Sequence, residues 1–264
     1  ERLVRQEKLA VLGQLAGGVG HELRNPLGVI SNAVYFLQMT LSDADETTRE
    51  YLNIIGSEVR NSEKIISDLL DFARTRTPER KEIAVSDLVA QVLQKRPPPE
   101  NVQVTTEIPP DLPSVFVDPR QMGQVLGNLV TNGYQAMPEG GRLTIHVSEG
   151  EVTGRPGDDL SATPSPCLRV SISDTGCGIP QENLEMLFEP LFTTKAKGIG
   201  LGLAVSKNLV EANGGSIEVE SPSTGLPSAT LGTSRAGPST ELRAGEEGKG
   251  STFTVTLPTK GALA

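Results

Sequence analysis

The sequence HELRNPL, residues 21–27, lies inside an amphipathic pattern that runs from residue 1 to about residue 40 and predicts one long helix. Apolar or small residues recur in this pattern at two interleaved heptad positions, which are Leu9, Ala16, Leu23, Ile30 and Leu37, and Leu12, Val19 and Ala33. His21 falls outside both positions, so its ring is predicted on the outer face, with Asn25 one turn further along. An exposed imidazole beside the Glu22 carboxylate suits a nucleophile, and the alternative is a solvated surface histidine.

A second amphipathic helix is predicted from about residue 46 to residue 75, after a turn at 42–45 that offers helix N-caps. Its apolar or small residues recur at spacings of three and four, at Tyr51, Ile55, Val59, Ser62, Ile66, Leu69 and Phe72. Two antiparallel helices cannot bury both apolar faces alone, so we predict a homodimer in which two hairpins form a four-helix bundle. The hairpin is assigned to residues 1–77, followed by a linker at 78–82.

From residue 83 to residue 264 the pattern changes to a second domain, for which we predict a two-layer α/β sandwich and hence an α+β chain. Four segments alternate apolar and polar residues as strands do: 143–147, 168–172, 217–219 and 253–257. Asp118 and Pro119 predict a helix start, and a second helix is predicted to end at Asn213. His146 lies on the polar face of its strand and is predicted to be solvated.

Residues 221–250 are rich in Ser, Thr, Gly, Pro and Ala and have no periodicity. A connection of this length without secondary structure is unusual, so we predict a mobile insertion between the last two strands. It is interpreted as a tolerated spacer, with a partner-binding site as the alternative.

The chain carries a net charge of −9, which disfavours binding to nucleic acid or to an anionic membrane. No apolar run approaches the ~20 residues of a membrane span. Cys167 and Cys177 lack metal-ligand spacing, which indicates a reducing compartment and predicts a cytoplasmic location. Because Glu1 falls within a helical pattern, we expect a fragment of a longer protein, with a sensing region upstream that is either soluble or membrane-anchored.

Three further segments suit the binding of a phosphate-bearing ligand. The 118–137 helix carries a stripe of uncharged amides at Gln121, Gln124, Asn128, Asn132 and Gln135. Amide oxygens can ligate Mg²⁺, and amide nitrogens can donate to phosphate. The sequence DTGCGIP at 174–180 places Asp174 at a strand end, before two glycines that allow close approach to a flat ligand. The sequence GIGLGL at 198–203 opens a helix and exposes backbone N–H groups to an anion.

Taken in order, these motifs resemble those of the sensor histidine kinases of two-component signalling. HELRNPL resembles their H box, 128–133 their N box, 174–180 the G1 box, 188–195 the F box and 198–203 the G2 box. The order resembles the Bergerat ATP-binding fold, which the DNA gyrase and MutL ATPases share. The resemblance implies that ATP phosphorylates His21, that Glu22 is the general base, and that Asn25 helps dephosphorylate the partner. The implied partner is the receiver domain of a response regulator.

The same resemblance implies an ATP and Mg²⁺ site. Asn132 would ligate Mg²⁺, Asn128 would position the triphosphate, and Asp174 would recognise the adenine amino group. Lys195 would lie in a lid near the β- or γ-phosphate, and Ser251 would keep a hydroxyl for a water-mediated adenine contact. The remaining implied nucleotide-binding residues are Gln135, Gly176, Gly178, Gly198, Gly200, Gly202 and Leu203.

Two alternative functions stay open from the residues. One is an ATP-driven clamp of the gyrase kind, which would place a Glu general base where this chain has Asn128. An amide activates water poorly, and this disfavours the clamp. The other is a scaffold that binds regulators through the bundle without catalysis. Intact nucleotide motifs disfavour the scaffold, because it would gain little from them.

Overall fold

The computed structural model describes residues 22–41, 44–73, 77–152, 165–195, 198–221 and 250–259. His21, Ser42 and Asp43 lie outside these residues, as does the predicted insertion apart from its first and last residues. The chain divides into two compact units, which are Glu1–Thr77 with Glu189–Val205, and Pro78–Phe188 with Ser206–Ala264. In the part of the chain described, no helix combines the length and the apolar character needed to cross a membrane.

An antiparallel helical hairpin forms most of the first unit. Helix α1 is described over residues 22–40 and helix α2 over Glu46–Ala73, so the predicted end of α1 and the predicted start of α2 are confirmed. Gln38 Nε2 donates to Asn53 Oδ1 at 3.0 Å near the turn, while Leu27 packs on the apolar cluster near the other end of α2. The buried apolar residues of the hairpin are Val34, Leu52, Val59, Ile66 and Leu70.

The predicted heptad of α1 does not face α2 of the same chain. Leu23, Ile30 and Leu37 keep 46%, 43% and 41% of their surface exposed. The intrachain contact is instead made by Leu27 and Val34, which are also seven residues apart but on a neighbouring stripe of the helix. Helix α1 therefore carries two apolar stripes, and only one of them is covered within the hairpin.

Replacing Asp45 by alanine is expected to lower the melting temperature at neutral pH but not in strong acid. Thr48 N donates to Asp45 Oδ1 at 2.6 Å at the start of α2, and this bond holds the pKa of the Asp45 carboxyl below its usual 3.8. A depressed folded-state pKa contributes stability above the unfolded-state pKa, and the contribution disappears as pH falls through the folded-state pKa. Thermal unfolding at neutral pH and below about pH 2 measures this difference.

Asp45→Asn is the matched control for this prediction, because an amide oxygen caps a helix without titrating. Its melting temperature should follow the parent at neutral pH. If the deficit of Asp45→Ala were equally large in strong acid, the carboxylate cap would not be its cause.

The second unit is built on a mixed five-stranded sheet with the order β2-β4-β5-β7-β6. Strands β2 and β4 pair in parallel, and the other neighbours pair antiparallel. The strands are β2 Val102–Glu107, β4 Gly141–Val152, β5 Ser165–Asp174, β6 Ser216–Glu220 and β7 Thr252–Pro258. The four predicted strands are therefore confirmed as β4, β5, β6 and β7, and β2 was not predicted.

A two-stranded sheet lies beside this core and was also not predicted. Strand β1, Lys81–Ile83, pairs antiparallel with β3, Val115–Val117. The predicted linker at 78–82 was wrong in its last two residues, since Lys81 and Glu82 belong to β1. Both strands have three residues, which is too short for an alternation to be recognised in the sequence.

Four helices follow in the chain. The last of them begins in the glycine segment, residues 198–203, and ends in the second unit. They are α3 Val85–Lys95, α4 Pro119–Ala136, the short α5 Gln181–Leu184 and α6 Gly202–Ala212. Helix α4 packs on α3 and on strands β4 and β5. Its buried apolar residues are Met122, Val125, Leu126, Leu129 and Val130, the face that the sequence predicts.

The predicted fold class, a helical hairpin followed by a mixed α/β sheet domain, is therefore confirmed. His146 is solvated as predicted, since its side chain is 50% exposed. Its Nδ1 lies 3.3 Å from Glu107 Oε2 on the paired strand β2.

Candidate nucleotide site and phosphoacceptor helix

Helix α4 begins with the cap that the sequence predicts. Asp118 Oδ1 accepts from Arg120 N at 2.9 Å and from Gln121 N at 3.2 Å, and Pro119 occupies the first turn. A carboxylate at this end also complements the helix dipole. The cap fixes the residue at which α4 begins. It therefore also fixes the positions of the later amide side chains along the helix.

A buried polar network joins the start of α4 to the end of α6. Asn213 is fully buried; its Nδ2 donates to Gln121 Oε1 at 2.7 Å, and its Oδ1 accepts from Asp118 N at 2.7 Å. The predicted amide stripe is therefore not one continuous ligand face. Gln121 serves packing between helices, and the candidate ligand amides are confined to the later turns of α4.

The linker residues before β1 dock on the same two helix ends. Glu79 N donates to Asp118 Oδ2 at 3.0 Å, so one carboxylate caps α4 and holds the linker. Arg80 Nη2 donates to Ala212 O at 2.8 Å, at the C-terminus of α6. A guanidinium at that position also complements the negative end of the helix dipole.

The middle of α4 is tied to α6 by a second bond. Asn128 is half-buried, and its Nδ2 donates to Ser206 Oγ at 3.1 Å. This bond orients the Asn128 amide, because its nitrogen is turned toward α6. Ser206 is buried and was not predicted as a site residue.

Asp174 ends strand β5 and is 9% exposed. Its backbone N donates to Ser251 O at 2.9 Å, and its Oδ1 accepts from Gly176 N at 2.8 Å. A Cβ built on Gly133 of α4 would lie 3.7 Å from Asp174 Cβ. The structure thus brings together Asp174, Ser251 and the turn of α4 that follows Asn132. Glycine at 133 makes room for Leu143, because a Cβ there would overlap Leu143 Cδ1.

The loop after Asp174 is held against the end of α4. Cys177 N donates to Ala136 O at 3.2 Å, and a Cβ on Gly176 would overlap that same carbonyl group. Gly178 adopts a φ of 72°, which favours glycine over other residues. Gln135 directly precedes Ala136 and is exposed, so it lies at the same end of α4 as the loop that contains Gly176 and Gly178.

The two cysteines of this unit are both free thiols. Burial raises the pKa of the Cys167 thiol, which keeps it protonated and unreactive. Cys177 is exposed in the loop that follows Asp174.

The glycine segment belongs to the first unit. Leu191 N donates to Gly200 O at 3.1 Å, and a Cβ on Gly200 would overlap the backbone of Phe192. Gly198 and Gly200 have φ of 137° and 70°, so both require glycine. Lys195 is exposed, and its N donates to Thr193 Oγ1 at 3.1 Å. Gly202 then opens α6, and Leu203 in its first turn is half-buried.

The predicted phosphoacceptor region is described from residue 22 onward. Glu22 and Asn25 are both exposed on α1, and the helix continues through Pro26. His21, one residue earlier, lies outside the described residues. Asn25, which was predicted on the outer face of α1, is thus available to solvent, and so is Glu22.

The donor set fits a magnesium nucleotide. Asn128, Asn132 and Gln135 carry neutral amide oxygens, which are hard ligands for Mg²⁺, and α4 contains no Asp or Glu. Asp174 supplies a carboxylate at the edge of this face, where it can accept from an exocyclic amine.

Two family models match the chain. Residues 117–261 match the family described as "Histidine kinase-, DNA gyrase B-, and HSP90-like ATPase". Residues 11–78 match the "His Kinase A (phospho-acceptor) domain", and this region includes HELRNPL. The two matches cover both predicted domains in the predicted order.

Curated relatives agree over almost the whole chain. It is 30% identical to sporulation kinase E of Bacillus subtilis (strain 168), over 98% of this chain and 30% of the relative. It is 33% identical to signal transduction histidine-protein kinase AtoS of Escherichia coli (strain K12), over 97% of this chain and 36% of the relative. The chain thus spans about a third of these two proteins.

Solved structures share the fold. Full-length ShkA in complex with AMPPNP matches with a TM-score of 0.65 at 21% identity, over 94% of this chain and 47% of that one. Histidine kinase ThkA in complex with response regulator protein TrrA matches with a TM-score of 0.58 at 26% identity, over 98% of this chain and 65% of that one. The chain belongs to the sensor histidine kinases of two-component signalling, and it carries their phosphoacceptor and ATP-binding domains.

Proposed function

We propose that this chain phosphorylates itself on His21 with ATP and passes the phosphoryl group to an aspartate of a response regulator. The observation that carries the proposal is the chemistry of α4. Its candidate ligand face offers only amides, and Asn128 donates to Ser206. A hydrolase would need a base for water on this face, whereas a kinase needs only to position ATP for another nucleophile.

In this proposal the second unit recognises the base of ATP. Asp174 accepts from the adenine amino group, and the backbone at Gly176 and Gly178 approaches the ring. Ser251 offers its hydroxyl to adenine through a water molecule. Support comes from the position of Asp174, which is held between Ser251 O and Gly176 N and is therefore pre-oriented.

The phosphates are proposed to bind the amides of α4. The glycine segment is proposed separately as a phosphate-binding turn, because residues 198–203 resemble the G2 box. Asn128 positions the triphosphate and Gln135 adds a polar contact. Gly198, Gly200 and Gly202 present N–H groups at the start of α6, in the turn before Leu203, and Lys195 neutralises a β- or γ-oxygen. Asn132 would hold Mg²⁺, which when bound offsets phosphate charge that this acidic chain cannot offset alone.

The proposed acceptor is an imidazole nitrogen of His21. Glu22 accepts or orients the proton on the other ring nitrogen, so that the attacking nitrogen keeps its lone pair. The new N–P bond replaces the bond between the γ-phosphorus and its bridging oxygen, and ADP leaves. Support comes from the exposure of Glu22 and from the match of residues 11–78 to the phosphoacceptor domain.

We further propose that the partner is a receiver domain, and that the chain acts in the cytoplasm. ThkA was solved with a response regulator, which supports a partner of this kind. Asn25, one turn beyond His21, is proposed to align water for the reverse dephosphorylation of that partner. Its exposed position on α1 supports this role.

The active form is proposed to be a homodimer, in which two hairpins form a four-helix bundle. The support is the uncovered apolar surface of the hairpin. Among the described residues of the hairpin, the large apolar side chains left exposed in a single chain are Leu23, Val29, Ile30, Tyr35, Phe36, Leu37, Met39, Leu41, Tyr51, Ile54 and Ile55. A second copy would bury this surface by the same packing that joins α1 to α2.

Incubation with Mg²⁺ and γ-labelled ATP tests the proposal, with His21→Gln beside the parent chain. We expect acid-labile, base-stable label on the parent and none on the variant, because glutamine has no nucleophilic ring nitrogen. Binding of nucleotide should be the same in both chains, which serves as the control for folding.

Three other outcomes would contradict the proposal. Steady phosphate release by both chains without label on protein would identify an ATPase clamp of the gyrase kind. A parent chain that binds no ATP at all would identify a scaffold. Label on both chains would place the phosphoacceptor at another residue.

A further inference from the structure

We infer that Ser221 is a positioning residue for nucleotide binding, acting through the loop that follows Asp174. The inference rests on the proposed binding of ATP. Ser221 follows strand β6 directly and is half-buried. The sequence motifs assign Ser221 no role. The inference comes from three contacts of its hydroxyl group.

The first contact is with the loop that follows Asp174. Ile179 N donates to Ser221 Oγ at 2.9 Å, and residue 179 directly follows Gly178. The near half of this loop is held by Cys177 N, which donates to Ala136 O at 3.2 Å. Ser221 holds the far half, so Gly178 lies between two fixed points, Cys177 and Ile179. A glycine loop without such fixed ends would have a larger conformational freedom to lose on binding.

The second and third contacts reach the start of β7. Ser221 Oγ donates to Gly250 O at 3.2 Å, and Ser251 Oγ lies 3.5 Å from Ser221 Oγ. Ser251 O in turn accepts from Asp174 N at 2.9 Å. One hydroxyl therefore connects the far half of the loop to the residues that hold Asp174 in place.

The expected effect of replacing Ser221 follows from the hydrogen bonds that each side chain can make. A serine hydroxyl can accept from Ile179 N and donate its one hydrogen to Gly250 O at the same time. Alanine can do neither, so Ile179 N would lose its partner and the loop would sample other positions. The entropy lost when the loop becomes ordered would then weaken nucleotide binding. The rate of phosphorylation of His21 would be unchanged once ATP is bound.

The experiment compares the parent chain with Ser221→Ala, Ser221→Thr and Ser216→Ala. Titration with Mg²⁺ and AMPPNP measures the dissociation constant, and labelling of His21 at saturating ATP measures the rate. Amide hydrogen exchange reports on the peptide that contains Ile179. Ser216 is the matched control, because it is an exposed serine at the other end of β6, the strand that Ser221 follows.

For Ser221→Ala we expect a dissociation constant raised about 5- to 10-fold, a labelling rate at saturation within about two-fold, and faster exchange at Ile179. Ser221→Thr keeps the hydroxyl and should restore tight binding, and Ser216→Ala should match the parent. The inference is overturned if Ser221→Ala binds as tightly as the parent, or if its rate at saturation falls as much as its affinity. Failure of the parent chain to bind nucleotide would instead overturn the proposed function.

Discussion

Gly250→Ala is expected to lower nucleotide affinity at least about ten-fold and to destabilise the second unit by about 2–3 kcal/mol. A Cβ at this position would overlap the carbonyl oxygen of Asp174 and would stand 2.9 Å from Thr175 Cα. Both obstacles are backbone atoms, so no side chain can rotate away. The start of β7 or the end of β5 must shift, and either movement displaces the carboxylate proposed to read adenine.

Gly123→Ala is the matched control for this prediction. Gly123 lies within α4, and a Cβ there would meet nothing within 4 Å. Alanine should therefore stabilise the helix by about 0.5–1 kcal/mol without changing nucleotide binding. Urea unfolding and titration with Mg²⁺ and AMPPNP measure the two effects. Equal behaviour of the two alanine variants would mean that β7 and β5 are not packed as closely as described.

Asn213→Ala is expected to destabilise the second unit by about 3–4 kcal/mol. The substitution leaves the buried Asp118 N without the Asn213 oxygen that it donates to, and it removes the hydrogen bond from Asn213 Nδ2 to Gln121 Oε1. Each unpaired buried group costs about 1–3 kcal/mol, which is more than the net gain from a hydrogen bond. Because Asn213 joins the end of α6 to the start of α4, the loss also loosens the pair of helices proposed to hold the phosphates.

Asn208→Ala separates this effect from the general consequences of replacing an asparagine. Asn208 is exposed on the same helix, where alanine is the better helix former, so stability should change by no more than about 0.5 kcal/mol. Denaturant unfolding of both variants gives the comparison. A loss below about 1 kcal/mol for Asn213→Ala would show that water or a relaxed helix end replaces the buried bonds.

Elements with a long, regular pattern could be predicted from the sequence. Strand β5 alternates buried and exposed residues over most of its length, and α4 has both a cap and an apolar face. Helix α3 was not predicted, although Val85, Leu88, Val89 and Val92 follow helical spacing. Strand β2 was missed for a physical reason, since it lies at the sheet edge with little apolar content.

The candidate site also contains residues that the sequence could predict and residues that it could not. Motif residues such as Asp174 could be predicted, because their spacing within the chain reflects one strand end and one loop. The residues that orient them could not be predicted, because they are distant in the sequence. Ser206 is 78 residues from Asn128, and Ser221 is 42 residues from Ile179. Gln121 shows the converse error, since helical spacing alone placed a packing residue among the ligand amides.

The docking of residues 79 and 80 also has a mechanical consequence. Tension applied to the chain at Pro78 would be resisted first by Asp118 and by the carbonyl of Ala212, before it reached the hydrogen bonds of β1. These two anchors are the start of α4 and the end of α6. A pull or twist arriving at residue 78 would therefore act on both helix ends before it acted on the strands.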